Sequence, residues 1–279
     1  MGGLFLTENY NKLEKFDIKK VFQEKSPNMA RKIPNFVYRL ISKVLHVKYL
    51  NYIIENYGHL EGVDFIQALI KEFNISVDYR GLENIPKDGK FIYTSNHPLG
   101  GFDGLLLLNI VTEQKGHSLF LVNDILMNIV PVKKLFVPIN KHGNQRKSIH
   151  LINEAYASDS QILIFPSGLA SRLIDGKIQD LPWNKHCIQK SVETHRDIIP
   201  VHVKGRNSRH FYWIAKIRKF FGLKWNIEMF LLADEMVRHK NKKFVITFGK
   251  AIPYTTFDKS KSPMKWAAWL RDIVYEIGK

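Results

Sequence analysis

Apolar residues along this chain fall into two regimes. Up to about residue 74 they recur at helical spacing: Leu40, Ile41, Val44, Leu45 and Val47 are interleaved with Arg39, Lys43 and Lys48, and Phe65, Ile66, Leu69, Ile70 and Phe73 follow. That period predicts helix over 35–73, with Pro34 suited to its entry. From residue 75 short apolar runs bounded by turn residues take over, and 76–81, 90–94, 118–122, 135–139, 161–166, 197–203 and 243–249 are predicted as strands. Helical patterns at 146–157, 188–195 and 264–277 lie between and after them, and 104–109 opens a further buried helix. Strands alternating with helices predict an α/β fold, a mostly parallel central sheet flanked by helices. Residues 1–74 form an N-terminal helical extension, and 75–279 the main domain.

Composition narrows the partners. The 279 residues are 45% hydrophobic and 12% aromatic, enough for a folded protein with a sizeable core. Lys+Arg outnumber Asp+Glu 42 to 26, a net charge of +16, which implies attraction to nucleic acid, a phospholipid surface, or an acidic carrier or substrate. The charge is spread along the chain and no zinc-finger, RRM or homeodomain pattern accompanies it, so nucleic acid is not expected. Cys187 is the single cysteine, which rules out an internal disulfide, suits a reducing compartment and reads as a small core residue. The opening Met1-Gly2-Gly3-Leu4-Phe5-Leu6 lacks the basic lead of a signal peptide, and Thr7 falls one place late for myristoylation. No apolar run reaches the length of a membrane span, so any membrane contact is expected to be peripheral. Two basic, partly apolar segments, 16–32 and 207–221, suit either an anionic bilayer surface or helices packed with a solvated basic face.

The run Thr94-Ser95-Asn96-His97-Pro98-Leu99-Gly100-Gly101-Phe102-Asp103-Gly104 carries the clearest chemistry. It joins a predicted strand to a predicted helix, the kind of junction where α/β enzymes present reactive groups. An imidazole is a general base, and an aspartate nearby fixes its tautomer. Glycines allow close approach of a substrate to the backbone, and a helix N-terminus favours anionic groups.

Four segments then occur in order: Asn96-His97-Pro98-Leu99-Gly100-Gly101-Phe102-Asp103, Phe136-Val137-Pro138-Ile139-Asn140-Lys141, Phe165-Pro166-Ser167-Gly168-Leu169-Ala170-Ser171-Arg172, and Ile198-Ile199-Pro200-Val201-His202-Val203. This order resembles the PlsC-like glycerolipid and lysophospholipid acyltransferases. Their blocks are a His-x4-Asp motif, a strand with a basic residue, Phe-Pro-Glu-Gly, and an apolar strand with proline. The resemblance spans about residues 75 to 255, and 75–279 is then an acyltransferase domain. The form of the first and third segments, with Gly205-Arg206-Asn207-Ser208 before Phe211-Tyr212, looks like a bacterial branch labelled hemolysin. That branch includes O-acyltransferases that complete acyl-oxyacyl aminolipids such as ornithine or glycine lipids.

The resemblance implies transfer of a fatty acyl group from an acyl thioester, on acyl carrier protein or CoA, to the hydroxyl of a lyso-lipid, with no bound cofactor or metal. His97 would take the hydroxyl proton, Asp103 would orient the imidazole, and backbone N–H groups around Gly100-Gly101 or Gly168 would hold the oxyanion. Three departures bear on the acceptor. Five residues, not four, separate His97 from Asp103; Ser167 replaces the family glutamate; and Ala170 and Asn140 stand where arginines are usual, with Arg172 and Lys141 nearby. Those family residues are associated with glycerol phosphate, so a lyso-aminolipid acceptor is favoured over 1-acylglycerol-3-phosphate. Gly100, Gly101, Asn140, Lys141, Arg146, Phe165, Pro166, Ser167, Gly168, Arg172 and Arg206 are the expected substrate contacts, the basic ones for an anionic head group or carrier phosphate. The expected setting is the cytoplasmic side of a bacterial inner membrane. A non-catalytic lipid-binding protein is the rival, and it predicts that His97 and Asp103 do not meet. His202 is either a core or a site residue; His117, His142, His150 and His186 show no metal-ligand spacing.

Overall fold

The computed structural model describes residues 15–25, 27–139, 145–220 and 231–279. The N-terminal region forms short helices: α1 (Ile18–Lys25), α2 (Pro27–Ala30), α3 (Asn35–Val44), α4 (Val47–Tyr57) and α5 (Gly62–Glu72). The helical period over 35–73 is therefore broken twice. His46 takes a left-handed backbone with φ 49°, a conformation an apolar count does not register, and its ring meets the Asp234 carboxylate at 2.7 Å. Residues 58–61 make the second break. Ile53 of α4 and Phe65, Ile66 and Leu69 of α5 pack into the main core with Phe102 and Leu106, whereas Ile18, Tyr38 and Leu45 form a separate small cluster. No helix among the described residues is long and apolar enough to cross a membrane.

The remaining elements are β1 (Ser76–Arg80), β2 (Phe91–Ser95), α6 (Phe102–Lys115), β3 (Ser118–Asn123), β4 (Phe136–Ile139), α7 (Gln145–Ala157), β5 (Gln161–Ile164), β6 (Arg172–Ile174), β7 (Lys177–Gln179), α8 (His186–Thr194), β8 (Asp197–Lys204), α9 (Arg209–Phe220), α10 (Leu232–Arg238), β9 (Lys243–Phe248) and α11 (Pro263–Glu276). Among the described residues seven strands form one sheet in the order β1-β9-β8-β2-β5-β3-β4, parallel except for β8 against β9. The predicted mixed architecture and its seven strands are all present.

β2 and β5 are buried along their whole length, as central parallel strands must be. Successive residues serve opposite faces: Phe91, Tyr93 and Leu163 join the core beneath α5 and α6, and Ile92, Ile162 and Ile164 join the one beneath α8 and α11. Each such side chain contributes about 1.5–3 kcal/mol by leaving water. Gly104 lets α6 lie close on β3, since a Cβ there would stand 2.5 Å from Phe120.

The connection leaving β2 runs through α6 toward β3, and the one leaving β8 runs through α9 and α10 toward β9, on the other side. The carboxyl ends of β2 and β8 thus flank a topological switch point, where open α/β sheets place their ligands.

Candidate active site

The site is built on the bend after β2. The Asn96 carboxamide copies a strand residue: Nδ2 donates to the Val203 carbonyl at 2.9 Å and Oδ1 accepts the Val203 N–H at 2.8 Å, tying the ends of β2 and β8 together. His97 is then fixed through its backbone. Its N–H donates to Asp180 Oδ1 at 3.2 Å, and its carbonyl accepts the Ser171 N–H at 2.7 Å.

The turn to α6 absorbs the additional residue between His97 and Asp103. Gly100 adopts φ +74°, which brings the Leu99 and Gly100 N–H groups onto Asp103 Oδ2 at 2.9 and 3.3 Å. Asp103 lies in the first turn of α6, where helix N–H groups favour a carboxylate. Its Oδ1 accepts the Gly104 N–H at 3.0 Å, and Oδ2 meets His97 Nδ1 at 2.9 Å. Burial pushes the Asp103 carboxyl up, but the adjacent imidazole and these backbone donors outweigh it and hold the group below the usual carboxylate range. An ionised carboxylate only accepts, so Nδ1 carries a proton, and in the neutral ring the lone pair is on Nε2. His97 Nε2 has no partner among the described residues, and the side chain retains 17% exposure. The opposite ring face stacks on Phe165, centroids 4.0 Å apart.

Other expected contacts divide. Gly168 has φ +66°, but its N–H already donates to the Phe165 carbonyl at 2.9 Å, as Gly100 donates to Asp103. Neither is left to hold an oxyanion in this arrangement; Gly101 N–H, without a partner among the described residues, is the donor that remains. Pro166 and Ser167 shape the turn: the Pro166 carbonyl accepts from the Asn184 N–H at 3.1 Å, and Ser167 Oγ donates to the Leu169 carbonyl at 2.8 Å. Arg172 is not an open cation, because its guanidinium donates to the Ala170 carbonyl at 2.6 Å and lies over the Phe211 ring. Arg146 is exposed at the start of α7, the helix that follows β4, and β4 is the edge strand three strand spacings, about 14 Å, from β2. Arg206 is exposed directly after β8. Asn140, Lys141 and His142 lie outside the described residues.

His202 is packed away from this site under the C-terminus. Its ring meets Tyr275 edge-on, and burial followed by the Lys204 charge pushes it down to about 4. Burial alone raises the Cys187 thiol to about 12, a core residue as expected. His117 bonds Ser160, and His150 faces Glu154 on the surface.

Two residues had no role assigned to them in the sequence reading. Asp180 is almost wholly buried and accepts from the His97 N–H, from Ser171 Oγ at 2.6 Å and from Trp183 Nε1 at 2.9 Å. It is a backbone anchor for the histidine, announced only by its position before Leu181-Pro182-Trp183. Asn207, buried in the turn after β8, is the other.

An imidazole with an open Nε2, oriented by a buried carboxylate at the switch point of a mostly parallel sheet, has the geometry of a group able to accept a proton from an attacking group. The chain belongs to the acyltransferase family, whose model matches residues 20–277, and it is an acyltransferase. Two proteins named lyso-glycine lipid O-acyltransferase are each 43% identical to it over 263 residues. The one from Phocaeicola vulgatus is matched over 94% of both chains, and the one from Bacteroides thetaiotaomicron over 94% of this chain and 97% of its own. The crystal structure of the 1-acyl-sn-glycerophosphate (LPA) acyltransferase PlsC from Thermotoga maritima overlays with a TM-score of 0.47 at 17% identity, covering 86% of this chain and 95% of that one. At that distance no residue correspondence follows.

Proposed function

We propose that this enzyme moves a fatty acyl group from an acyl thioester to the hydroxyl of a lyso-aminolipid, with lyso-glycine lipid as its acceptor. The single observation that carries the chemistry is the 2.9 Å contact between His97 Nδ1 and a buried, ionised Asp103. The acceptor rests on the two relatives at 43% identity. The commitment of Arg172 to backbone carbonyls speaks against a glycerol phosphate in its place.

In the reaction, Nε2 of His97 removes the acceptor hydroxyl proton as the oxygen bonds to the thioester carbonyl carbon. Asp103 stabilises the imidazolium that forms, and the Gly101 N–H, at the start of α6, faces the developing oxyanion. Collapse of the tetrahedral intermediate breaks the C–S bond, and the imidazolium returns its proton to the leaving thiolate. Products are the O-acylated lipid and a free thiol on acyl carrier protein or CoA. The net charge of +16 supports both an acidic donor and an anionic surface.

A peripheral seat on the cytoplasmic face of the inner membrane accompanies this reading. Phe36, Leu40 and Val44 stand exposed on one face of α3, with the exposed Arg39 and Lys43 among them. On α9 Phe211 and Tyr212 pack inward while Trp213 is 63% exposed beside Lys216. The second basic segment therefore serves both as core and as outward face.

The test is a transfer assay with acyl carrier protein and CoA donors and a panel of lyso-aminolipids and lysophospholipids, read by mass spectrometry. Diacylated product from the lyso-glycine lipid, reduced about 10²- to 10⁴-fold in His97→Ala, supports the reading. Product from lysophosphatidate alone overturns the acceptor, and undiminished product from His97→Ala overturns the mechanism.

A further inference from the structure

The turn that leaves β8 at the switch point carries two polar side chains, Arg206 and Asn207, whose polar ends find no partner among the described residues, and His239 Nδ1 beside it is unpaired as well. A Cβ on Gly205 would stand 2.6 Å from Leu99, so the turn backs onto the loop between His97 and Asp103. The Arg206 carbonyl meets His239 Nε2 at 3.4 Å, and the His239 ring stands edge-on to Phe102. The Ser208 N–H and hydroxyl both bind the buried Glu235 carboxylate, the N–H at 2.7 Å. The Asn207 N–H donates to the Tyr212 hydroxyl at 3.1 Å, and Tyr212 packs with Ala170 and Leu232, the two side chains that flank Gly100.

The Asn207 carboxamide is unpaired at both its donor and its acceptor. Asn207 is only 3% exposed, yet neither Oδ1 nor Nδ2 has a hydrogen-bond partner. Buried polar atoms are nearly always paired, with protein, with ordered water or with a ligand, and a carboxamide that leaves donor and acceptor open together can pair with a group that offers both. The guanidinium of its exposed neighbour Arg206 has no hydrogen-bond or ion-pair partner among the described residues.

We propose that the Arg206-Asn207 turn is the head-group subsite of the acceptor, where the Asn207 carboxamide pairs with the amide of an N-acyl amino acid and Arg206 takes its carboxylate. This rests on the reading of the acceptor as a lyso-aminolipid. Glycine has no hydroxyl, so a hydroxyl acylated on a glycine lipid lies on the chain attached to the amino acid. Attachment through the amine leaves one N–H donor, one carbonyl acceptor and a carboxylate one carbon away. A carboxamide matches the first two, and a guanidinium binds the third with two parallel hydrogen bonds. An ester-linked lyso-lipid has no N–H to offer at the same place.

The experiment compares wild type, Asn207→Leu and Arg206→Gln on three probes: N-(β-hydroxypalmitoyl)glycine, its carboxamide, and the ester of β-hydroxypalmitate with glycolate, which replaces the amide N–H by oxygen. Asn207→Leu is expected to lose about tenfold or more in kcat/KM on the glycine probe, mainly through KM, and distinctly less on the ester probe, which keeps the carbonyl but has no N–H to pair with Oδ1. Arg206→Gln is expected to lose a similar factor on the two carboxylates and none on the carboxamide. Asn207→Leu should also melt no lower than wild type, since no hydrogen bond is removed. Equal losses on all three probes, or a lower melting temperature without discrimination among probes, overturn the proposal. No product from wild type on the glycine probe, with product from a lysophospholipid, overturns the functional reading instead, and the proposal falls with it.

Discussion

The imidazole of His97 lies flat on the ring of Phe165, with planes 16° from parallel and centroids 4.0 Å apart. Phe165 is held in turn by Phe120, which meets it edge-on at 5.2 Å. Phe165, an expected substrate contact, stacks on the His97 ring. Phe165→Leu keeps most of the buried volume and removes the flat support. It is expected to lower kcat about tenfold with KM nearly unchanged, at a stability cost under about 1.5 kcal/mol. Phe165→Ala is expected to cost about 3–5 kcal/mol. Steady-state kinetics beside thermal melts separate the two effects.

Asp103→Asn tests tautomer control. An asparagine can turn a donor toward Nδ1, which moves the imidazole proton to Nε2 and removes the base. A loss of up to about 10⁴-fold in kcat is expected. Linkage gives a second readout. The Asp103 carboxyl titrates lower in the folded protein than in the unfolded chain, so its stabilising contribution is present above the unfolded value near 3.8 and is lost as pH falls through the folded value. The melting temperature of wild type should therefore fall more steeply than that of Asp103→Asn below about pH 4. Parallel acid titrations that superimpose would contradict this.

Asp180 has the opposite sign. Burial pushes its carboxyl up, and the hydrogen bonds from Ser171, Trp183 and the His97 N–H only partly offset that. Its contribution to stability is thus largest at low pH and declines as pH rises from 3.8 through the folded value. Asp180→Asn should flatten that decline. It also turns an N–H₂ toward either Trp183 Nε1 or the His97 N–H, a mismatch expected to cost about 1–3 kcal/mol at neutral pH. Melts across the acid range and kcat at neutral pH read both consequences, and an unchanged melting temperature at neutral pH would remove Asp180 as an anchor.

Gly100→Ala places a Cβ 2.5 Å from Leu232 Cδ2 at a backbone with φ +74°. We expect a loss of about 1–3 kcal/mol and a marked fall in activity, because the Leu99 and Gly100 N–H groups that hold Asp103 shift with the turn. Leu232→Ala in the same chain should restore the steric part and leave the backbone part, so the two changes couple in a double-mutant cycle.

Which features were legible follows from how each is encoded. The strands around Ile92, Leu163 and Ile199 read cleanly because strands buried on both faces carry unbroken apolar runs. His97 and Asp103 were legible because a proline and glycines crowd one short run. The hairpin of β6 and β7 was missed although Asp175 and Gly176 both have positive φ, a turn signal that three-residue, half-exposed strands did not support. The antiparallel entry of β9 against β8 was not visible, since apolar runs carry no direction. Asp180 and Asn207 stayed hidden because their meaning lies in partners, or the lack of them, from distant parts of the chain.

Cys187 carries a practical consequence. It is the one thiol in the sequence, fully enclosed between α8 and the sheet, and burial raises it to about 12, so its thiolate is scarce at neutral pH. Thiol-directed reagents will leave the folded protein unmodified. A cysteine introduced at Leu40 on α3 or at Trp213 on α9 thus becomes a unique attachment point for a fluorophore or spin label, with the native residue left in place. Such a probe would report, by emission shift or collisional quenching, which of these two faces enters lipid.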